Sequence, residues 1–416
     1  MTRHVALYRL GAVALAVVAV FSVGMIRPVD AASNTPMTSL SVSGRGWGHG
    51  RGMSQYGALG YASENHWTAP EILDHYYQNT SMGEVPSGAA VDPDGVRVDL
   101  RFMRGQTTTV AVGTGQLHIY EADGSTIRSV EGGAARLRVA GNGFVVESAP
   151  GCDGPWTSPE TVGAGSITIA ASVTGSATYD PTQKSNLLEV CGPTQHAWYQ
   201  GTIQAVNHDG QARTVNVVPV EQYLRGVVPN EVVASWPEAA LQAQAVAARS
   251  YLLAGDTRQQ PYADTCDTAR CQVYDGVFST RKSNSIATHP RTDEAILATA
   301  GQVRLMPDGK VARTEFSSSS GGHTAGGTFP AVRDEGDSLA GNRFHTWTET
   351  IDVADLVAYY GYGQLVAVDV TKRNGLGALG GRATEVTFTF EQKTIIVDGN
   401  TARVRLGLRS DWFTIQ

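Results

Sequence analysis

The chain has 416 residues, a formal net charge of −7, 42% apolar residues and 17% charged ones. Those totals suit a folded soluble protein of one large domain or two ordinary ones. No basic run occurs, which argues against a nucleic-acid partner, and 47 glycines argue for many turns and short strands rather than a helical bundle.

Arg3 and Arg9 precede an apolar stretch, Gly11 to Ile26, and Val29-Asp30-Ala31 offers a signal-peptidase site. Residues 1–31 are therefore expected to be a signal peptide. The alternative is an uncleaved anchor, but the stretch is shorter than the roughly twenty residues a spanning helix needs. Cleavage would take the net charge to −9 and leave a secreted protein with no stable membrane span. Residues 32–43 read as a polar linker. Gly44-Arg-Gly-Trp-Gly-His-Gly-Arg-Gly-Met-Ser-Gln-Tyr-Gly57 follows. Its alternate glycines allow positive φ and close approach to a ligand. Trp47, His49, Gln55 and Tyr56 offer a flat face and donors suited to a sugar; the bland reading is a turn with Trp47 in the core. The ending of a phosphate loop is absent. Helices are expected over 53–63 and 69–80, the second capped by Thr68 with Glu71, with Tyr76 and Tyr77 as core.

Residues 96–216 alternate as short strands, a sandwich or barrel-like module. Next comes Val217 to Ala254, VVPVEQYLRGVVPNEVVASWPEAALQAQAVAARSYLLA, which reads as strand, tight loop and helix, the helix starting at a Ser235/Glu238 capping box. Leu241, Ala245, Ala248 and Leu252 share one helix face and should be buried. Glu231 falls in the loop among Val227, Val228, Val232 and Val233. A carboxyl in an apolar setting has its charged form disfavoured, which suits a general acid; a surface loop glutamate is the alternative. Cys152, Cys191, Cys266 and Cys271 are an even set, expected as disulfides, with sequence proximity favouring Cys266–Cys271 and Cys152–Cys191. A metal site at Cys266-x4-Cys271 is the competing reading, against which no histidine lies close in sequence and the neighbouring Arg270 cannot ligate zinc.

A helix at 292–299 and a hairpin turning at Pro307-Asp308-Gly309 lead into Phe316-Ser-Ser-Ser-Ser-Gly-Gly-His-Thr324, rich in hydroxyls and amides. A serine nucleophile with His323 as base is a remote option, since triads come from distant segments and no nucleophile elbow is present. Strands are expected at 349–352, 384–390, 394–397 and 402–406.

The run Tyr223-Leu224, Gly226–Val228, Glu231, Ser235–Pro237 and Gln244–Tyr251 closely resembles the signature of the SpoIID/LytB family of bacterial cell-wall proteins. The Gly44–Ala58 run, Cys271-Gln-Val-Tyr-Asp-Gly276, Phe316–Thr324 and Leu406–Ile415 resemble further family stretches. The glycine-rich run ordinarily follows the Leu406–Ile415 stretch, so the chain reads as a circular permutant, which requires Ile415 and Gly44 to lie together. The implied fold class is α+β: a β-rich module of short strands (96–216) plus a catalytic α+β domain (217–416, with 44–86) whose few short helices surround a cleft.

The resemblance implies a secreted lytic transglycosylase that cuts MurNAc–GlcNAc strands stripped of stem peptides, with Glu231 as catalytic acid/base and 1,6-anhydroMurNAc products. Substrate binding is carried over to Ser319, Ser320, Gly321 and His323, and expected of Trp47, His49, Gln55, Tyr56, Gln244 and Arg249. Asp275 is the nearest second carboxylate. Arg45, Arg51 and Arg249 are candidates for a basic groove toward lactyl carboxylates. No cofactor or metal is expected. Family members resembling LytB imply the alternative, a non-catalytic glycan-binding enhancer of a cell-wall amidase.

Overall fold

A computed structural model describes residues 37–163, 165–172, 184, 187–255, 260–282 and 285–416. The expected signal peptide lies outside the described residues. The architecture is α+β, with seven described helices and sheets that do not close. Among the described residues no helix is long and apolar enough to cross a membrane.

The β-rich region forms most of a thirteen-stranded sheet. Its long strand Thr108–Glu121 has two partners along one edge. Residues 110–112 pair with Leu188–Cys191, and residues 116–121 pair with Ser166–Ser172. The register shifts between Val112 and Gln116, where Gly115 adopts φ +83°. Such a bulge bends a strand and re-aims it, which is how one strand serves both partners. Val110, Val112, Leu117 and Ile119 point into the main core from both halves. Thr202–His208 and Gln211–Val218 pair antiparallel around Asp209-Gly210, both at positive φ, as a two-residue hairpin demands.

That hairpin delivers the chain to the helices. The expected strand and loop after Val218 are instead a helix, Val220–Glu231 (α3; α1 and α2 are Gln55–Glu64 and Ala69–Tyr76). Val220, Tyr223, Leu224, Val227 and Val228 recur at i, i+3, i+4, i+7 and i+8, and all are buried in the main core. Gly226 brings α3 close to the loop below it: a Cβ there would sit 2.6 Å from the Tyr274 ring and 2.7 Å from Gly276 O. Pro229 has no N–H to give, and the helix stops two residues later, with Val232 extended.

Glu238–Leu253 is α4. The Ser235 capping box does not form; Pro237 occupies the N-cap without a side-chain bond. As expected, Leu241, Ala245, Ala248 and Leu252 face the main core. The opposite face is also covered, because Ala240, Ala243, Val246 and Ala247 pack with α1 and α2 in a second core that includes Tyr76 and Tyr77. The helix is buried all round, and its alanines let neighbours approach on both sides. Pro290–Ala298 (α5) packs beside it.

A third core lies between Ala354–Tyr360 (α6), Gly399–Arg405 (α7) and strands 365–373, 383–390 and 394–397. Residues expected as a strand at 402–406 belong mainly to α7, started by Asp398 Oδ1 accepting from Thr401 N. Part of the expected linker 32–43 is also structured. Ser39–Gly44 is the central strand of a three-stranded sheet, with Leu40 and Val42 buried. Its antiparallel neighbours are Trp347–Asp352 and Phe413–Ile415, with Val42 opposite Ile415 and Gly44 opposite Phe413. Gln416 N donates to Ser41 O at 2.9 Å.

The candidate active-site cleft

Two remote runs meet to form one wall. The glycine-rich run crosses the serine-rich run through a Trp47–Ser319 bridge and through parallel pairing of Met53–Ser54 with Phe316–Ser317. Gly46 has φ +75°, and a Cβ on it would lie 2.7 Å from Ser319 O. The crossing therefore needs glycine there. With Gly48 also at positive φ, Trp47 and His49 both reach a cleft of about 610 Å³.

Glu231 stands on the opposite wall at the last position of α3, half-buried. Its Oε1 accepts the Val273 backbone N–H at 2.9 Å, and its Oε2 faces Gln55 Nε2 at 3.5 Å. Gln55 Nε2 also reaches Gln244 Oε1 at 3.4 Å. The valines around Glu231 do not make its setting apolar. Val227, Val228 and Val232 point into the core, Val233 is exposed, and these contacts of the carboxyl are polar.

The remaining lining is charged. Arg51, Arg270, Arg313 and Arg403 line the cleft, and among its described lining residues the carboxylates are Glu231 and Glu315. Glu315 is clasped by Arg51 through two bonds of 2.9 Å. Burial opposes its charge, but the Arg51 bond and the charges of Arg51 and Arg313 together hold it below the usual carboxylate range. His49 is pushed down to about 4, first by burial and then by Arg51. Its Nδ1 accepts from Arg51 N at 3.0 Å, which leaves Nε2–H as the donor of a neutral ring. The chain is acidic overall and its cleft is basic, as expected, although Arg51 is the one expected arginine that lines it.

Several expected contacts lie elsewhere. Arg249 is fully buried; it grips both Glu221 oxygens at 2.8 and 2.7 Å and donates to Gln302 O, tying α3 to α4. Arg45 donates to Gly321 O and meets His345. Ser319, Ser320 and Gly321 are buried, bound to Asp337 and Asp334. Ser317 and Ser318 line the cleft in their place. His323 bonds Thr324 O and is not in the lining, so no serine–histidine pair forms there. Tyr56 packs between Trp236 and Phe344, and Gln244 sits behind Gln55 with no exposure. Asp275 pairs with Arg281, away from the lining.

Cys266–Cys271 and Cys152–Cys191 are both disulfides, as expected, and Cys271 lines the cleft. The one cluster with metal-ligand geometry among the described residues is Cys152, Glu189, Cys191 and His196, whose sulfurs are bonded to each other.

In this α+β protein a carboxyl at the end of α3 thus faces aromatic and basic groups across a groove. Residues 208–305, which include Glu231, match the SpoIID family, stage II sporulation protein. The chain is 33% identical over 129 residues to an uncharacterized protein of Brachyspira hyodysenteriae, covering 30% of this chain and 32% of that one. It is 38% identical over 101 residues to the amidase enhancer of Bacillus subtilis, covering 24% of this chain and 12% of that one. The chain thus matches about a third or less of the length of these relatives.

Proposed function

We propose that the protein is an exported peptidoglycan lytic transglycosylase acting on MurNAc–GlcNAc strands that lack stem peptides. The SpoIID match of residues 208–305 and the likeness to an amidase enhancer support a cell-wall role. The observation that carries the finer reading is Glu231: its carboxyl lines the cleft opposite Trp47 and His49, with Oε1 held by the Val273 N–H at 2.9 Å. Protonated Glu231 donates to the glycosidic oxygen as the bond to the muramyl anomeric carbon breaks. The muramyl 6-hydroxyl attacks that carbon, and Glu231 takes the hydroxyl proton, giving a 1,6-anhydro end. One carboxyl serves both proton transfers because the nucleophile is internal, whereas a hydrolytic glycosidase normally uses two. Trp47, 41% exposed, offers a stacking face, His49 Nε2–H a neutral donor, and Arg270, Arg313 and Arg403 positive charge toward lactyl carboxylates.

The printed name of the Bacillus subtilis relative favours a second reading, a glycan-binding enhancer of a cell-wall amidase. Digestion of amidase-stripped peptidoglycan by the protein and by Glu231→Gln, followed by mass spectrometry, separates the two. Anhydro-muramyl products from the first and none from the second uphold the transglycosylase. Binding without cleavage by either upholds the enhancer. Reducing-end sugars would mean hydrolysis and overturn the internal-nucleophile step.

A further inference from the structure

We propose that the Cys266–Cys271 disulfide is a positioning element for Glu231, and that opening it with a dithiol disables the cleft while the fold persists; this rests on Glu231 being the acid/base. The disulfide closes a loop that begins at the sheet and ends at the carboxyl. Thr265–Cys266 pairs parallel with Val98–Asp99, so Cys266 is anchored on the main sheet and only 1% exposed. Cys271 is half-buried in the cleft wall, next to exposed Arg270. Two residues beyond it, the Val273 N–H bonds Glu231 Oε1 at 2.9 Å. Gln272, between them, is fully buried, receives Tyr223 OH at 3.1 Å and donates to Ala248 O at 3.1 Å. The loop is thus fixed at the sheet, at the sulfur and at Gln272, and the sulfur is the fixing point a solute can reach from the cleft.

The two disulfides close loops of different length, with separations of 5 and 39 residues. Loop-closure entropy grows with loop length, so Cys152–Cys191 should contribute more to stability and Cys266–Cys271 less. The shorter bond's position beside the carboxyl is what a stabilising role leaves unexplained. Opening is ordinary exchange: a thiolate of the dithiol attacks Cys271 Sγ and expels Cys266 as thiolate. The second thiol then resolves the mixed disulfide, leaving two cysteine thiols and an oxidised dithiol.

The test compares the whole exported protein with Cys266→Ser/Cys271→Ser and with Cys152→Ser/Cys191→Ser on amidase-stripped peptidoglycan. The first pair should lower kcat about tenfold or more, as a displaced acid/base does, with KM changed less than about threefold and a small fall in Tm. The second pair should lower Tm further and leave kcat unchanged below the melting range. Dithiothreitol should reproduce the first result on the unsubstituted protein and have no effect on kcat in Cys266→Ser/Cys271→Ser. An unchanged kcat in Cys266→Ser/Cys271→Ser overturns the proposal, as does a loss that simply follows Tm in both pairs. If the unsubstituted protein cleaves nothing, the transglycosylase reading fails separately. Hydrogen exchange then decides the positioning claim: faster exchange of the Val273 amide in Cys266→Ser/Cys271→Ser upholds it, and unchanged exchange overturns it.

Discussion

The Val273 N–H meets Glu231 Oε1 at 2.9 Å across 42 residues of sequence. The bond joins the end of α3 to the loop after Cys271, so the carboxyl is aimed by two segments rather than by its own loop. Glu231→Gln keeps an oxygen for that N–H and removes the proton that the proposed transfer to the glycosidic oxygen needs. Cleavage should fall by about 10²–10⁴-fold with Tm nearly unchanged, read by anhydro-muramyl release and calorimetry on the same preparations.

Arg249 predicts the opposite pattern. Its guanidinium is fully buried against Glu221 and backbone carbonyls, and it does not line the cleft. Arg249→Met removes the guanidinium from Glu221, which is 35% exposed and keeps the Gly301 N–H, and should cost about 1–3 kcal/mol of stability. Glycan affinity of the fraction that remains folded should be unchanged. A specific loss of glycan affinity at full stability would restore Arg249 to the site.

Much of this site was legible as residue types, and less of it as geometry. The glycine and serine runs and Glu231 stood out in the sequence, and Trp47, His49, Gln55 and Glu231 do share the cleft. The apolar setting inferred from the valines failed because helical neighbours point in different directions: Val227 and Val228 face the core while Glu231 faces the groove. The spacing 220, 223, 224, 227, 228 was a helix signal masked by Gly226 and Pro229. Ser39–Gly44 looked like linker because three of its residues are serines, yet Leu40 and Val42 at period two mark a half-buried strand. Arg313 and Arg403 could not be assigned to the cleft, since only the tertiary fold brings them to Glu231.

Below the serine-rich run, Asp334 is buried beside Asp337, with Ser320 and Tyr76 as donors. Burial, then the Asp337 charge, pushes its carboxyl up to about 7. Asp267 is likewise raised to about 7, first by burial, with Asp99 adding to it. In the unfolded chain both would titrate near 3.9. The folded state therefore binds more protons between about pH 4 and 7, and their contribution to stability is full below about pH 4 and is lost as pH rises through 7. The slope is up to about 1.4 kcal/mol per pH unit for each group. Urea midpoints should fall between pH 5 and 7.5, and Asp334→Asn should flatten that fall. A midpoint that rises over this range would contradict the assignment.

His49 predicts a simpler activity profile. Held down to about 4 by burial and Arg51, it stays neutral through the working range. The rate–pH curve should show no limb near 6.5 that His49→Gln removes, and this variant, which keeps a donor, should retain substantial activity.

The pairing of Phe413–Ile415 with Ser39–Gly44 is what a permuted order requires, and we propose that order for this protein. Phe413–Ile415 and Ser39–Gly44 are antiparallel neighbours, and Gln416 N bonds Ser41 O, so the two strands lie as the arms of a hairpin do. The expected domain order places the original opening between residues 86 and 96, where the chain passes from the helical segment to the β-rich region. A rearranged chain that starts at Gly88, joins Gln416 to Met37 through a short Asn-Gly turn and ends at Ser87 should fold with Tm within a few degrees of the natural order. It should also bind glycan equally. Failure to fold would show that the pairing of the ends is a late adornment rather than the trace of a rearrangement.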